Sequence, residues 1–416
     1  MSVTPINPIT STQPRVCAGL DWAKDDHAVC ILSPGGEVID RFTITHTASG
    51  LRRLVAKLLK AGATEVGIER PDGPVVDALL AAELTVLVIA PAQVKNLRSR
   101  YGSAGNKDDR FDAYVLADVV RTDRHRLTPL TRSTPATQAL RSTVRARRDL
   151  LDHRIAAANQ LRAHLQVVLP GVVELFSALD SAISLSFLER FSTQAKTDWL
   201  TLDRLTTWLK KVRYTGRTKP TALLDRLQSA PRGTTGPEAD RHATTTLAFV
   251  AVLRSLNTQI AVLADDIADQ LDLHPDKHIV TSLPRSGTLR AARLLAEIGD
   301  ARGRFPTADS LACLAGVAPS TRQSGKAKAV TFRWACDKQL RDALCDFADG
   351  SRHDNPWAAQ LYNRAKARNH DHPHAIRILA RAWVDIIWRC WQDGTVYDPD
   401  RHRALQNILN NHTKAA

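Results

Sequence analysis

Short apolar runs separated by turn residues open the chain, and longer amphipathic stripes follow them. Val16–Leu20 and Ala28–Leu32 have the length and composition of strands, with the polar turn Lys24-Asp25-Asp26 between them. Pro34-Gly35-Gly36 leads into a third strand, Val38–Thr45. From Ser49 to Ala61 the period lengthens, and Leu51, Leu54, Val55, Leu58 and Leu59 form one helical stripe. Glu65–Glu69 then predicts a strand, Val75–Ala82 a helix, and Thr85–Ile89 a strand ending before Pro91.

Further on the pattern becomes helical. Val144, Leu151, Ala158 and Leu165 recur every seven residues, with Ile155, Leu161 and Val168 on the same face. This predicts a long amphipathic helix over 136–169, stopped by Pro170-Gly171. Leu253, Leu256, Ile260, Leu263 and Ile267 make a matching stripe, so the two helices form an antiparallel coiled-coil arm, a helical partner surface or an ordinary bundle core. The insertion between them, 171–242, carries Trp199, Trp208 and the basic turn Lys210-Lys211-Val212-Arg213, while 229–246, rich in Gly, Pro and Thr, reads as loop. Residues 277–400 predict helices at Leu289–Ile298, Ala308–Ala315, Asp337–Phe347, Trp357–Arg368 and His374–Trp391, with a polar loop at Pro319–Ala329. Trp383, Trp388 and Trp391 on the last of these read as core or helix-interface residues rather than base-stacking ones.

Three strands and then alternating helix and strand is the order of an α/β ribonuclease H-like fold, an order other folds share. The domains read as a flexible N-terminus (1–14), an α/β domain (15–130), a helical coiled-coil segment (131–275), a mainly α-helical C-terminal domain (276–400) and a tail (401–416).

Composition narrows the function. With 416 residues, 44% of them apolar, the chain can bury two or three cores. Its net charge of +14 points to a polyanionic partner. Residues 95–165 and 322–389 carry essentially the whole excess, so the charge lies in segments that read as folded rather than in a tail. Six cysteines without a Cys-x-x-Cys pair argue against a zinc ribbon and for reduced thiols in a cytosol. The polar start, Met1 to Pro14, is not a signal peptide, and Ala78–Ala92, the nearest approach to a membrane span, is broken by Glu83. The expected location is therefore cytoplasmic, with no membrane partner.

Four carboxylates stand out against this basic background. Asp21 and Glu69 close strand-like runs, and Asp109 and Asp112 follow Lys107 on a helix. Residues three apart on a helix project from one face with Cβ atoms about 5–6 Å apart. Such a face can bridge two divalent ions roughly 3.5–4 Å apart. An isolated Asp-x-x-Asp is more often an acidic first turn complementing the helix dipole. Asp108, four residues before Asp112, could take the place of a neighbour.

A second candidate is Gly316-Val317-Ala318-Pro319-Ser320-Thr321-Arg322-Gln323-Ser324-Gly325-Lys326. Ser324 lies between Arg322 and Lys326, cations able to neutralise charge building on a phosphodiester under attack. The same loop could instead grip phosphate without covalent chemistry. Arg141, Arg145 and Arg148, with Arg154 and Arg162, form a basic helical face suited to nucleic-acid backbone or plain solvent. Lys107 and Arg110 flank the acids. His370-Asp371-His372-Pro373-His374 reads as a solvated loop rather than a metal site.

Taken together, strand-Asp21, strand-Glu69, Lys107-x-Asp109-x-x-Asp112-Ala113, a coiled-coil segment and Gly316-x-x-Pro319-x4-Ser324-Gly325 resemble the DEDD transposases of the insertion-sequence 110 family. The resemblance spans most of the chain and is strongest at 16–120 and 281–346. It implies a RuvC-like ribonuclease H-fold domain, a coiled-coil arm and a C-terminal transposase domain. It implies Mg2+, or Mn2+ in its place, on Asp21, Glu69, Asp109 and Asp112, and a covalent phosphoserine at Ser324. Its implied partners are donor and target DNA, the element's own non-coding bridge RNA, and further copies of the chain in a homodimer or homotetramer. In a bacterium the enzyme would work at the nucleoid. Two departures stand out: Glu69 precedes Arg70-Pro71-Asp72-Gly73, and the Pro-Gly-Ile-Gly hairpin of relatives is Pro284-Arg285-Ser286-Gly287. Other readings are a metal-dependent RuvC-like Holliday-junction nuclease without a covalent intermediate, and a non-catalytic nucleic-acid-binding scaffold. A sugar-kinase-like phosphotransferase, suggested by Gly19-Leu20-Asp21-Trp22, lacks its second Gly-rich phosphate loop.

Overall fold

The computed structural model describes residues 15–98, 100–101, 108–325 and 327–415. The expected positions of Lys107 and Lys326 lie outside these. The chain divides into two compact units, residues 1–132 and 133–416.

The first unit is mixed α/β. Its strands are β1 (Val16–Trp22), β2 (Asp26–Leu32), β3 (Val38–Thr45), β4 (Ala63–Ile68) and β5 (Thr85–Val88). They form one sheet in the order β3-β2-β1-β4-β5. β1–β2 and β2–β3 pair antiparallel, whereas β1–β4 and β4–β5 pair parallel. Four helices cover it: α1 (Ala48–Lys60), α2 (Pro74–Ala81), α3 (Pro91–Arg98) and α4 (Asp109–Asp123). Because side chains alternate along a strand, β1 and β4 bury both faces. Ala18, Leu20, Val66 and Ile68 pack with Leu54 and Leu58 of α1 and Val75, Val76 and Leu79 of α2. On the opposite face Cys17, Cys30 and Leu32 pack with Ala113, Leu116 and Val120 of α4.

The second unit is helical apart from one hairpin. Its helices are α5 (Pro135–Val168), α6 (Ala182–Arg190), α7 (Gln194–Asp198), α8 (Leu202–Lys211), α9 (Pro220–Ser229), α10 (Pro237–Asp272), α11 (Lys277–Thr281), α12 (Gly287–Ile298) and α13 (Ala308–Leu314). The hairpin β6 (Ser320–Ser324) and β7 (Ala327–Thr331) follows, then α14 (Lys338–Ser351), α15 (Pro356–Ala367), α16 (His372–Asp393) and α17 (Arg403–Ala415).

α5 and α10 run antiparallel. Thr137 bonds His274, Gln270 donates to Thr143, and His164 bonds Thr246, so position rises along one helix as it falls along the other. The insertion folds on the far end of this pair, where Phe187, Phe191, Leu205 and Trp208 join Leu161, Leu165 and Leu253 in one core. At the near end, Leu140, Val144, Ile267 and Leu271 enter the core of the C-terminal helices. Trp383 and Trp391 are buried there, and each indole N–H is satisfied, by Ser351 Oγ and the Gly299 carbonyl. By length and composition α10 alone among the described helices could cross a membrane, which the sequence pattern had not indicated. Here it packs along α5 and carries Arg254, paired with Glu189.

Two segments differ from expectation. Residues 237–246 are helix, because Gly236-Pro237 starts α10, with proline preset for the first helical turn. Pro319–Ala329 is mostly hairpin rather than loop, the largely exposed, all-polar β6 giving no apolar alternation to read.

Candidate nucleic-acid-processing site

The acidic site is built by close approach of α4 to the sheet. Gly19 on β1 and Gly67 on β4 are register partners. A Cβ on Gly19 would lie 2.0 Å from the Ala113 carbonyl oxygen, and one on Gly67 2.9 Å from that of Leu116. Two positions further along each strand, on the same face, stand Asp21 and Glu69. Asp21 lies within β1 rather than after it, and Glu69 immediately follows β4. α4 begins over this edge. Asp108 caps it, its side chain accepting the Arg110 N–H, so this carboxylate serves the helix start. Asp109 and Asp112 occupy the first turn, where the helix dipole favours negative charge.

One carboxylate oxygen from each of Asp21, Asp109 and Asp112 lies within 4.8 Å of the other two. Among the described residues this is the His, Cys, Asp or Glu group whose ligand atoms converge to suit a metal ion. Asp112 is buried and Asp21 half-buried, while Asp109 is exposed. Burial and then the charges of Asp112, Asp109 and Glu69 push the Asp21 carboxyl up to about 7. Glu69 thus acts electrostatically on the cluster from the end of the adjoining strand. The site matches a hard divalent cation: its donors are all carboxylate oxygens and its anionic charge is only partly offset.

That offset comes from a residue outside the sequence motif. Arg98, the last residue of α3, donates through Nε and a terminal nitrogen to both oxygens of Asp112. The sequence signal that would have exposed the architecture is Gly-x-acid, present as Gly19-Leu20-Asp21 and Gly67-Ile68-Glu69. Arg98 had no such signal.

In the second unit Ser324 is exposed at the end of β6, paired with Ala327, and Gly325 (φ +56°) begins the turn between them. Arg322, two residues back, shares the Ser324 face of the strand and is also exposed. The basic face expected on α5 is largely committed inside the unit. Arg141 donates to the Ala296 carbonyl, Arg145 forms a bidentate pair with buried Glu297, and Arg148 pairs with Asp152 and Asp342. Arg110 is exposed at the start of α4. In the turn before α12, Arg285 takes φ +53°, the region that favours glycine. His370 and His374 lie with ring centroids 4.1 Å apart and their planes tilted by 46°, and Asp371 caps α16.

An oxygen-ligand cluster in a strongly basic chain defines a class of proteins: enzymes acting on nucleic-acid phosphodiesters. Residues 18–170 match the DEDD transposase family of IS110, and residues 277–363 match the IS116/IS110/IS902 transposase family. A Streptomyces coelicolor protein named as a mini-circle transposase for IS117 is 32% identical, covering 93% of this chain and 96% of its own. A 42 kDa protein of insertion element IS900 from Mycobacterium paratuberculosis is 26% identical over 92% and 97%. A 43.6 kDa protein of IS110 from Streptomyces coelicolor is 27% identical over 92% and 95%. The chain belongs to the IS110 family of transposases, enzymes that cleave and rejoin DNA.

Proposed function

We propose that this transposase exchanges DNA strands through a phosphoserine at Ser324, guided by a bridge RNA, with Mg2+ or Mn2+ held by Asp21, Glu69, Asp109 and Asp112. The observation that carries the reading is the convergence of the three aspartates, with Asp21 raised to about 7 by burial and then by the neighbouring carboxylates. A bound divalent ion supplies Lewis-acid polarisation of a phosphate oxygen. The carboxylates bind and orient, and Asp21 must lose its proton before it can ligate.

Ser324 Oγ forms a bond to phosphorus as the bond from phosphorus to the departing strand oxygen breaks. The serine proton ends on that oxygen. One phosphodiester replaces another, so a hydroxyl of a second strand can reverse the step without ATP. Arg322, on the Ser324 face of β6, neutralises charge on the non-bridging oxygens. Lys107, Arg110, Lys326 and the α5 arginines Arg141, Arg145 and Arg148 are the further nucleic-acid contacts implied by the sequence. The internal partners of the α5 arginines weigh against that role.

The sheet order supports a RuvC-like ribonuclease H fold for the first unit, and the antiparallel α5–α10 pair supports a coiled-coil arm joining copies in a dimer or tetramer. The enzyme would act in the bacterial cytoplasm, at the nucleoid.

The experiment is adduct trapping on an end-labelled junction substrate. Wild-type protein should form a Mg2+-dependent covalent complex that Ser324→Ala abolishes and Asp109→Ala reduces at least a hundredfold. Strand cleavage that persists without any adduct in wild type would instead identify a metal-dependent nuclease. RNA copurifying with the protein and complementary to both junctions is the expected mark of guidance.

A further inference from the structure

The hairpin that carries Ser324 has a second face. Val330 on β7 and Thr321 on β6 are register partners, so they point away from the face of Ser324 and Arg322. Phe332 and Trp334 follow just past the end of β7. Val330 is 59% exposed and Trp334 82% exposed, an unusual position for so large an aromatic ring. The Phe332 and Trp334 rings meet edge-on with centroids 4.8 Å apart. The guanidiniums of Arg341 and Arg377 lie 5.1 and 4.7 Å from the Phe332 centroid.

Between this stripe and α16 runs a groove of about 400 Å³. Its apolar lining includes Val317, Val330 and Ile378, and its charged lining is Arg333, Arg377 and Arg381, with no carboxylate among the residues that form it. Arg381 is paired with Asp309 and Asp385. Arg333 donates to the Ala318 and Pro319 carbonyls, whereas Arg377 meets no carboxylate among the described residues. An apolar slot with an exposed indole beside it and guanidiniums around it matches the two parts of a nucleotide, a flat base and an anionic phosphate.

We propose that this groove is a subsite for single-stranded DNA, in which an unpaired base stacks on the exposed Trp334, beside Phe332, while its phosphate meets Arg377. The strand must be unpaired, because duplex bases are already stacked on each other and offer no free face. The charge favours a polyanion over an apolar protein segment. Trp334 lies beyond the base of the hairpin. Four residues of β6 at about 3.4 Å each separate that base from Ser324, a span of a few nucleotides. The groove would therefore hold strand flanking the reacting phosphate. The choice of DNA rests on the proposed chemistry at Ser324; the stacking does not.

The test measures binding of short fluorescent oligodeoxynucleotides to full-length protein in a Ser324→Ala background, where no adduct can form. Trp334→Ala should weaken single-strand binding about 5- to 150-fold, the range for loss of one base–aromatic stack. Trp334→Phe should retain most of the affinity, and binding of the same sequence as blunt duplex should not change. Because Trp334 is exposed, the variant should fold as wild type, which circular dichroism checks. Unchanged single-strand affinity in Trp334→Ala overturns the proposal. So does an equal loss for duplex and single strand, or a loss seen only when an oligoribonucleotide of the same sequence is titrated instead. Dissociation of an oligomer by Trp334→Ala at constant DNA affinity would also overturn it, by assigning the groove to a second copy. Failure of the Ser324 chemistry would appear separately, in the adduct assay, and leave these affinities as they are.

Discussion

Asp112 has both oxygens engaged by Arg98 while sharing a cluster with Asp21 and Asp109. Each carboxylate oxygen has a second lone pair, so Arg98 can orient Asp112 and still leave it able to ligate. Arg98→Ala would leave the buried carboxylate uncompensated. Losing one partner of a buried pair costs about 3–5 kcal/mol, and the part-exposed guanidinium reduces this to about 2. In chelator the variant should unfold at lower denaturant than wild type, and added Mg2+ should recover more stability in the variant. Equal Mg2+ increments in both proteins would show that Arg98 and the cation do not share Asp112. Asp21 gives a second handle, since its carboxyl moves from 3.8 to about 7 on folding. Between those values the folded chain binds more protons than the unfolded one, so the contribution of this group to stability falls as pH rises through the window. Asp21→Asn removes that dependence. In chelator it should be the more stable protein near pH 8, with the difference vanishing toward pH 3.8. In wild type, Mn2+ affinity should climb with pH up to about 7 and then level off, because binding displaces the Asp21 proton. A flat profile across that range would contradict the raised value.

At the scale of elements, the site depends on how closely α4 lies on β1 and β4. Gly19→Ala would drive a methyl into the Ala113 carbonyl and Ala117 amide, backbone atoms that cannot rotate away. α4 must then shift, carrying Asp109 and Asp112 away from Asp21. The variant should lose about 3 kcal/mol of stability, as for an overpacked core, and at least tenfold in Mn2+ affinity. Calorimetric titration checks the second, and undiminished affinity in a destabilised protein would separate packing from ligand placement. The strands and most helices were legible because burial on one or two faces imposes period two or 3.6 on the sequence. The hairpin at 320–331 was not, because β6 is polar and largely exposed and no core-facing alternation marks it. The start of α10 was hidden for a different reason: Gly236-Pro237 reads as a turn although it is also a good helix opening. Asp21, Asp109 and Asp112 were legible as acids at element ends, but their convergence was not. That depends on Gly19 and Gly67, whose lack of a side chain is what admits α4.

Across the whole molecule, a charge of +14 does not translate directly into nucleic-acid contacts. Sequence counting treats every arginine alike, yet the structure sorts them by partner. Arg145 is held by Glu297, which is 2% exposed, and Arg141 reaches a backbone carbonyl. Arg322 projects from an exposed strand end beside Ser324. Each phosphate neutralised by the protein releases counterions, so the dependence of DNA affinity on salt counts the open cations rather than the paired ones. Arg322→Gln should therefore reduce the slope of log affinity against log salt by about one, with little effect on unfolding. Arg145→Gln should do the reverse, lowering stability by about 2 kcal/mol through the stranded Glu297 while the slope holds. Duplex binding measured across a salt series, alongside denaturation of the same two variants, decides the matter. If Arg145→Gln flattened the slope and Arg322→Gln did not, the DNA path would run along α5, and the ion pair with Glu297 would have to open for DNA to bind.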